Sequence, residues 1–124
     1  MGRNAFDYLI ELVSEEEIRN LKPDFSRLAK ITTRGVCVTS ISSSDEYDFV
    51  SRLFAPAIGI PEDPVTGSTH CCLGPYWMKK LNKNSFTAYQ ASERGGFLKV
   101  RVIKERVLIS GKAVTVIEGS ILDS

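Results

Sequence analysis

Gly59-Ile60-Pro61-Glu62-Asp63-Pro64-Val65-Thr66-Gly67-Ser68-Thr69-His70-Cys71 is the stretch on which the fold turns. Proline at 61 and 64 restricts the backbone on either side of Asp63, so the carboxylate is held in a stiff loop. Gly67 lets the chain turn closely into a helix over residues 68–81, whose first amides are unpaired and point outward. A substrate carboxylate suits that position, because both the N–H groups and the helix dipole favour negative charge there. The helix carries Cys71, Cys72, Leu73, Tyr76, Trp77, Met78 and Leu81 and has almost no polar face. That pattern predicts a helix buried on all sides at the centre of a domain. Lys79, Lys80 and Lys83 gather at its C-terminal end, where a solvated cluster of positive charge complements the dipole.

On the N-terminal side, residues 6–13 are rich in strand formers, with Tyr8, Ile10 and Leu12 on a two-residue period. Ser14 and Glu17 have the spacing of a capping box for a short helix over residues 15–21, and Asp24 can cap a further turn or two over residues 25–30. Both helices are too short to stand alone and must pack on a sheet. The β-branched run 35–41, a polar turn at 42–45 and the run 47–54 predict two strands. On the C-terminal side four short strands are expected, over residues 86–91, 97–103, 107–110 and 113–118. Turn signals at Arg94-Gly95-Gly96, Lys104-Glu105-Arg106 and Gly111 make them an antiparallel meander. The sum is an α+β fold, a strongly curved mixed or antiparallel sheet wrapped around one central buried helix, as a single domain over residues 1–124.

Composition narrows the function. The 124 residues are 43% hydrophobic and 25% charged, ordinary for a soluble globular protein. Sixteen basic against fifteen acidic residues leave a net charge of +1, which gives no electrostatic case for nucleic acid or an anionic membrane. No apolar segment approaches the roughly 20 residues that cross a bilayer. Three cysteines, two of them adjacent, make no disulfide framework and fit a reducing compartment, so a cytoplasmic protein is expected.

The residues that can carry chemistry each have a plainer reading beside the functional one. Asp63 can move a proton at a carbon next to a carboxylate or carbonyl, or it can cap the following turn. Ser68 and the amides of Gly67, Ser68 and Thr69 can hold a carboxylate, or they form an ordinary helix start. His70 is the only histidine; at this position a packed or hydrogen-bonded helix residue is the commoner outcome, and substrate binding the functional one. It points nearly opposite Ser68 at about 100° per residue, so the two make no nucleophile pair. His70-Cys71-Cys72 diverge around the axis and lack a second Cys/His pair, so no metal site is expected. The two cysteines read as small core residues. Arg94 and Gly95 can bring a guanidinium and close backbone to an anionic substrate, or they form a plain turn.

Several segments together resemble the phenazine-biosynthesis PhzF-like family, whose fold is similar to diaminopimelate epimerase. They are Ser51-Arg52-Leu53-Phe54-Ala55-Pro56, the stretch from Gly59 to Cys71, Pro75-Tyr76-Trp77, the run from Gln90 to Gly96, and Ser110-Gly111-Lys112-Ala113-Val114. The resemblance implies two similar halves, each a sheet curled around a central helix, with the active site in the cleft between them. It implies isomerisation by proton shuttling next to a carboxylate, with no cofactor. On it Asp63 looks like the site aspartate and Ser68 the site serine, with Gly67 and Thr69 lining the substrate. Only the C-terminal half is matched; the N-terminal half, which in the family carries a glutamate proton shuttle and a histidine, has no counterpart in these residues. The expectation is therefore an isomerase or epimerase half-domain acting on a small carboxylate-bearing molecule. Its site would be completed by an N-terminal half, a separate chain, or a second copy in a homodimer. The alternative is a catalytically silent carboxylate-binding domain.

Overall fold

The computed structural model describes residues 2–3, 7–31 and 33–123. The expected strand start at Phe6 lies outside them. The elements run β1 (Gly2–Arg3), β2 (Asp7–Glu11), α1 (Glu15–Asn20), α2 (Phe25–Leu28), β3 (Gly35–Ile41), β4 (Phe49–Ala55), a 3-10 turn (Pro56–Ile58), β5 (Ile60–Asp63), α3 (Gly67–Leu81), β6 (Ser85–Gln90), β7 (Gly96–Ile103) and β8 (Arg106–Ser110). One mixed sheet takes the order β1-β2-β3-β4-β6-β7-β8, with β5 also paired to β4. The β2/β3 and β4/β6 pairs are parallel and the remainder antiparallel.

The sheet curls around α3. Alternation along each strand sends Leu9, Cys37, Phe49, Leu53, Phe86, Ala88, Leu98, Val100 and Val102 onto one face, where they enclose Leu73 and Trp77 of the helix. The other face of β3 and β4 meets α1, with Ile18 between Val38, Val50 and Phe54. At Gly74 the helix lies almost on the sheet. A Cβ there would stand 3.0 Å from Val100 Cγ1 and 3.1 Å from Val102 Cγ2, so the absence of a side chain sets the helix-to-β7 distance.

The short helices are capped as their residues predict. Ser14 Oγ accepts from Glu17 N at 3.2 Å and Asp24 Oδ1 from Arg27 N at 3.1 Å. Glu15 anchors α1 to the sheet, accepting from Arg19 Nε (2.7 Å), Ser43 N (3.0 Å) and Tyr47 Oη (2.5 Å). Burial pushes its carboxyl up, but these donors outweigh burial and hold it down at about 2. The folded value lies below the unfolded one, so this stabilisation is complete above the unfolded pKa and is lost as pH falls toward about 2. Glu15→Gln is expected to flatten the decline of stability between about pH 5 and pH 2, read by thermal melts across that range.

Three expectations are corrected. The central helix is not apolar all round: its buried stripe is Thr69, His70, Leu73, Gly74 and Trp77, a helical spacing that turns Cys71 out into solvent. Cys71 is therefore not a core residue, whereas Cys37 is, with burial raising its thiol well above the usual range. Residues 60–63 form a strand and not a loop, because Pro61 lies on an edge strand that needs no second ladder. Residues 113–118 form no strand: from 111 to 123 the chain has no regular structure and every residue is exposed. Lys79, Lys80 and Lys83 are exposed at the C-terminal end of α3, where Lys80 bonds Glu11 and Lys83 bonds Asp48.

Candidate active site

The site forms where the sheet forks. Along one edge β4 first pairs β6, with Ser51 opposite Gln90, and then pairs β5, with Leu53 opposite Asp63. The ends of β5 and β6 therefore meet beside the start of α3. Opposed residues share a face, so Asp63 projects with Leu53 toward the helix while Glu62 projects with Phe54 to the other side.

Gln90 joins the two strand ends. Buried in β6, its amide accepts from Thr66 N at 2.8 Å and donates to the Asp63 carbonyl at 2.9 Å and to Thr66 Oγ1 at 3.1 Å. The Thr66 hydroxyl in turn donates to Asp63 Oδ2. Thr66 is the N-cap of α3, yet its side chain caps no helix amide. The first turn of α3 also carries no acid, so the amides of Gly67, Ser68 and Thr69 face the site without a side-chain acceptor. Gln90→Leu keeps the volume and strands the Thr66 N–H and the Asp63 carbonyl, at about 1–3 kcal/mol for each buried group. A loss of roughly 3 kcal/mol in denaturant unfolding is expected, together with displaced amide resonances at residues 63–68.

Arg34 and Asp7 complete the floor. Arg34, in the loop before β3, donates through Nη2 to Ser68 Oγ at 3.0 Å. Asp7, buried at the start of β2, accepts from Arg34 Nε at 2.9 Å and Nη2 at 2.5 Å. The Asp63 carboxylate favours the Arg34 charge as well, after the larger effect of Asp7. Glu62, the neighbour of Asp63, is paired with Arg52 at 2.7 and 3.0 Å on the opposite face.

His70 stands behind the site. Its ring is fully buried and stacks on Phe49 at 6.2 Å. Nδ1 lies 2.7 Å from the Thr66 carbonyl, which can only accept, so Nδ1 carries the hydrogen and Nε2 is a bare acceptor. Burial lowers its pKa, against the opposing hydrogen bond to Thr66, and favours the neutral ring. Nε2 and the buried Thr69 and Ser51 hydroxyls have no hydrogen-bond partner among the described residues. Thr69 thus lines the site through its amide, its side chain being turned inward.

Arg94 lines an open cavity of about 410 Å³ with Glu62, Pro64, Ser92 and Glu93, so it borders the loop on either side of Asp63. Gly95, at φ +72°, lies over Tyr89, where a Cβ would come within 2.4 Å of the phenol oxygen. That turn supports the site from outside: Ser92 Oγ donates to the Pro64 carbonyl at 2.8 Å. No group of three or more His, Cys, Asp or Glu among the described residues can hold a metal ion, and no helix among them is long and apolar enough to cross a membrane.

The fold gathers Asp63, Gly67, Ser68 and Thr69, the residues expected to line a site, at one helix start, and sets beside them Asp7, Arg34 and Gln90, to which the sequence did not point. The only signal for Asp7 was an acid in an apolar strand. Gln90 had none beyond lying in a recognisable run.

A single mixed sheet curled round one central helix is the architecture of this chain. Residues 4–119 match the family model described as phenazine biosynthesis-like protein. The chain belongs to that family. It is 61% identical over 122 residues to an uncharacterized isomerase of Halalkalibacterium halodurans, covering 98% of this chain and 46% of that protein. It is 55% identical over 113 residues to an uncharacterized isomerase of Pseudomonas aeruginosa, covering 91% and 42%. The crystal structure of a putative phenazine biosynthesis PhzC/PhzF protein from Clostridium difficile superposes with a TM-score of 0.81 at 44% identity, over 93% of this chain and 44% of that one. A PhzF-family protein from Enterococcus faecalis gives 0.78 at 47% identity, over 83% and 39%. The chain thus spans under half the length of the relatives it matches.

Proposed function

We propose that this chain supplies one side of a cofactor-independent isomerase site that moves a proton next to the carboxylate of a small acid. The observation that carries the reading is Asp63, held by Thr66 at the fork of the sheet, beside an α3 start whose N-cap side chain bonds no helix amide and whose Ser68 meets Arg34. Asp63 takes or returns the proton, while Ser68 and the amides of Gly67 and Thr69 hold the carboxylate. Arg94 and Gly95 border the same loop and belong to the outer approach. The names of the curated relatives support an isomerase, and their greater length supports a second half that closes the cleft. An N-terminal half or a second copy of this chain, in a cytoplasmic homodimer, would fill that place.

One observation favours a second reading, a domain that binds carboxylate without turnover. Asp7 and Glu62 are tied to arginines, which leaves Asp63 as the acid at the α3 start, among the described residues, placed to move a proton. Deuterium wash-in from D2O at the carbon next to the carboxylate, across a panel of hydroxy- and amino-acids, separates the two. Exchange by the native chain that Asp63→Asn abolishes is the expected result. Exchange that survives the substitution, or none in any assembly state, rejects the enzyme.

A further inference from the structure

We propose that Arg34 is a positioning residue that turns Ser68 into a one-way hydrogen-bond donor, so that the site accepts an anionic oxygen and discriminates against the corresponding amide. This rests on the reading of the α3 start as a carboxylate site and goes on to say what sets its selectivity.

A guanidinium has five donors and no acceptor, so the 3.0 Å contact between Arg34 Nη2 and Ser68 Oγ runs in one direction only. A serine hydroxyl has one hydrogen. With Oγ accepting from Arg34, and with no other hydrogen bond to the Ser68 side chain among the described residues, that hydrogen is directed to whatever occupies the site. The donor is polarised as well, since its oxygen rests against a fixed positive charge.

Arg34 is fixed by an unusual partner. Asp7 is 2% exposed and takes both Nε and Nη2 in a two-point clamp, which removes the freedom a surface arginine ordinarily has. The clamp joins the start of β2 to the loop before β3 and reaches the start of α3 through Ser68. Ser68 Oγ and the amides at the helix start therefore present donors to the ligand position beside the Arg34 guanidinium, while Asp63, which accepts from Thr66 Oγ1, stands at the fork. A carboxylate satisfies every one. The isosteric amide offers one acceptor oxygen and an NH2 that meets further donors, and it loses the charge.

The plain competing role is a staple between two strands, which predicts no effect on ligand selectivity. Backbone amide shifts of Gly67, Ser68 and Thr69 in the 15N-labelled chain, titrated with lactate and separately with lactamide, tell the two apart. The native chain is expected to favour lactate by roughly tenfold or more, as charge-assisted hydrogen bonds exceed neutral ones. The pair Arg34→Gln with Asp7→Asn preserves shape and leaves no buried unpaired charge. In it the preference is expected to fall to about threefold or less. Undiminished preference in that folded variant overturns the proposal and leaves the carboxylate site standing. No response of these amides to lactate in the native chain overturns both. Should the double variant not fold, Arg34→Lys carries the test. A lysine meets Asp7 as a point charge and withdraws the planar fork from Ser68, so an unchanged preference there is equally fatal.

Discussion

Trp77→Ala is expected to lower the stability of this fold by about 3–5 kcal/mol, the largest effect of any single truncation in the chain. Trp77 is 2% exposed and lies where α3 meets the middle of the curled sheet. Its ring stacks on Phe49 with centroids 5.7 Å apart, and Tyr76 meets it edge-on at 5.5 Å. Its indole N–H donates to Thr39 Oγ1 at 3.0 Å, and Thr39 spends its own hydrogen on the Val50 carbonyl at 2.7 Å. Truncation thus opens a cavity between helix and strands and removes a donor from a buried hydroxyl. Against a typical total of about 5–15 kcal/mol, the variant is at the edge of folding. Equilibrium denaturation measures the loss, and Trp77→Phe, which keeps much of the packing, should recover more than half of it. A near-native Trp77→Ala would mean that the sheet does not depend on α3 as its centre.

The second large effect is expected at Arg52. Its guanidinium pairs with both oxygens of Glu62 and donates through Nη1 to the Ile18 and Leu21 carbonyls at 2.9 and 2.8 Å. One side chain therefore closes the C-terminal end of α1 and ties it to β5, the strand that delivers Asp63. Both partners are largely shielded, at 12% and 18% exposure. Arg52→Met leaves a carboxylate and two helix carbonyls to find water, for which about 3 kcal/mol is expected, the lower end of the range for breaking a buried pair. Pairing it with Glu62→Leu should return part of that loss, because the stranded charge goes with it. A double variant no better than the single one would assign the effect to the carbonyl contacts of α1 alone.

What the sequence revealed, and what it hid, divides along the reach of each interaction. The caps at Ser14 and Asp24 join residues three apart and were legible, as was a helix beginning at Gly67. Apolar content alone over-read that helix, since composition does not say which side faces the sheet, and Cys71 faces solvent. That Asp63 and Ser68 come together at the start of α3 was legible because only Pro64 to Gly67 separate them, even though Asp63 ends a strand. Arg34 was not: its partners are 27 residues before it and 34 after it, and only the register of β2 on β3 brings them together. Gln90 was hidden for the same reason, its work depending on β6 ending beside β5. Residues 113–118 failed in the opposite sense. Their alternation is that of a strand, but a strand requires a neighbouring edge, and no property of the residues themselves supplies one.

The exposed stretch from 111 to 123 has a consequence for how long the chain survives. Proteolysis of a folded protein ordinarily waits on local opening, and its rate tracks the free energy of that opening. Within the sheet a protease must first separate strands that are hydrogen-bonded and packed on α3. Beyond Ser110 there is no ladder to separate, and Val114, Val116, Ile117, Ile121 and Leu122 are each at least 85% exposed. Trypsin is therefore expected to cut first after Lys112, in the native state and without any unfolding, which mass analysis of a limited digest reads out. A surface that shelters these residues would change a half-life before it changed a melting temperature.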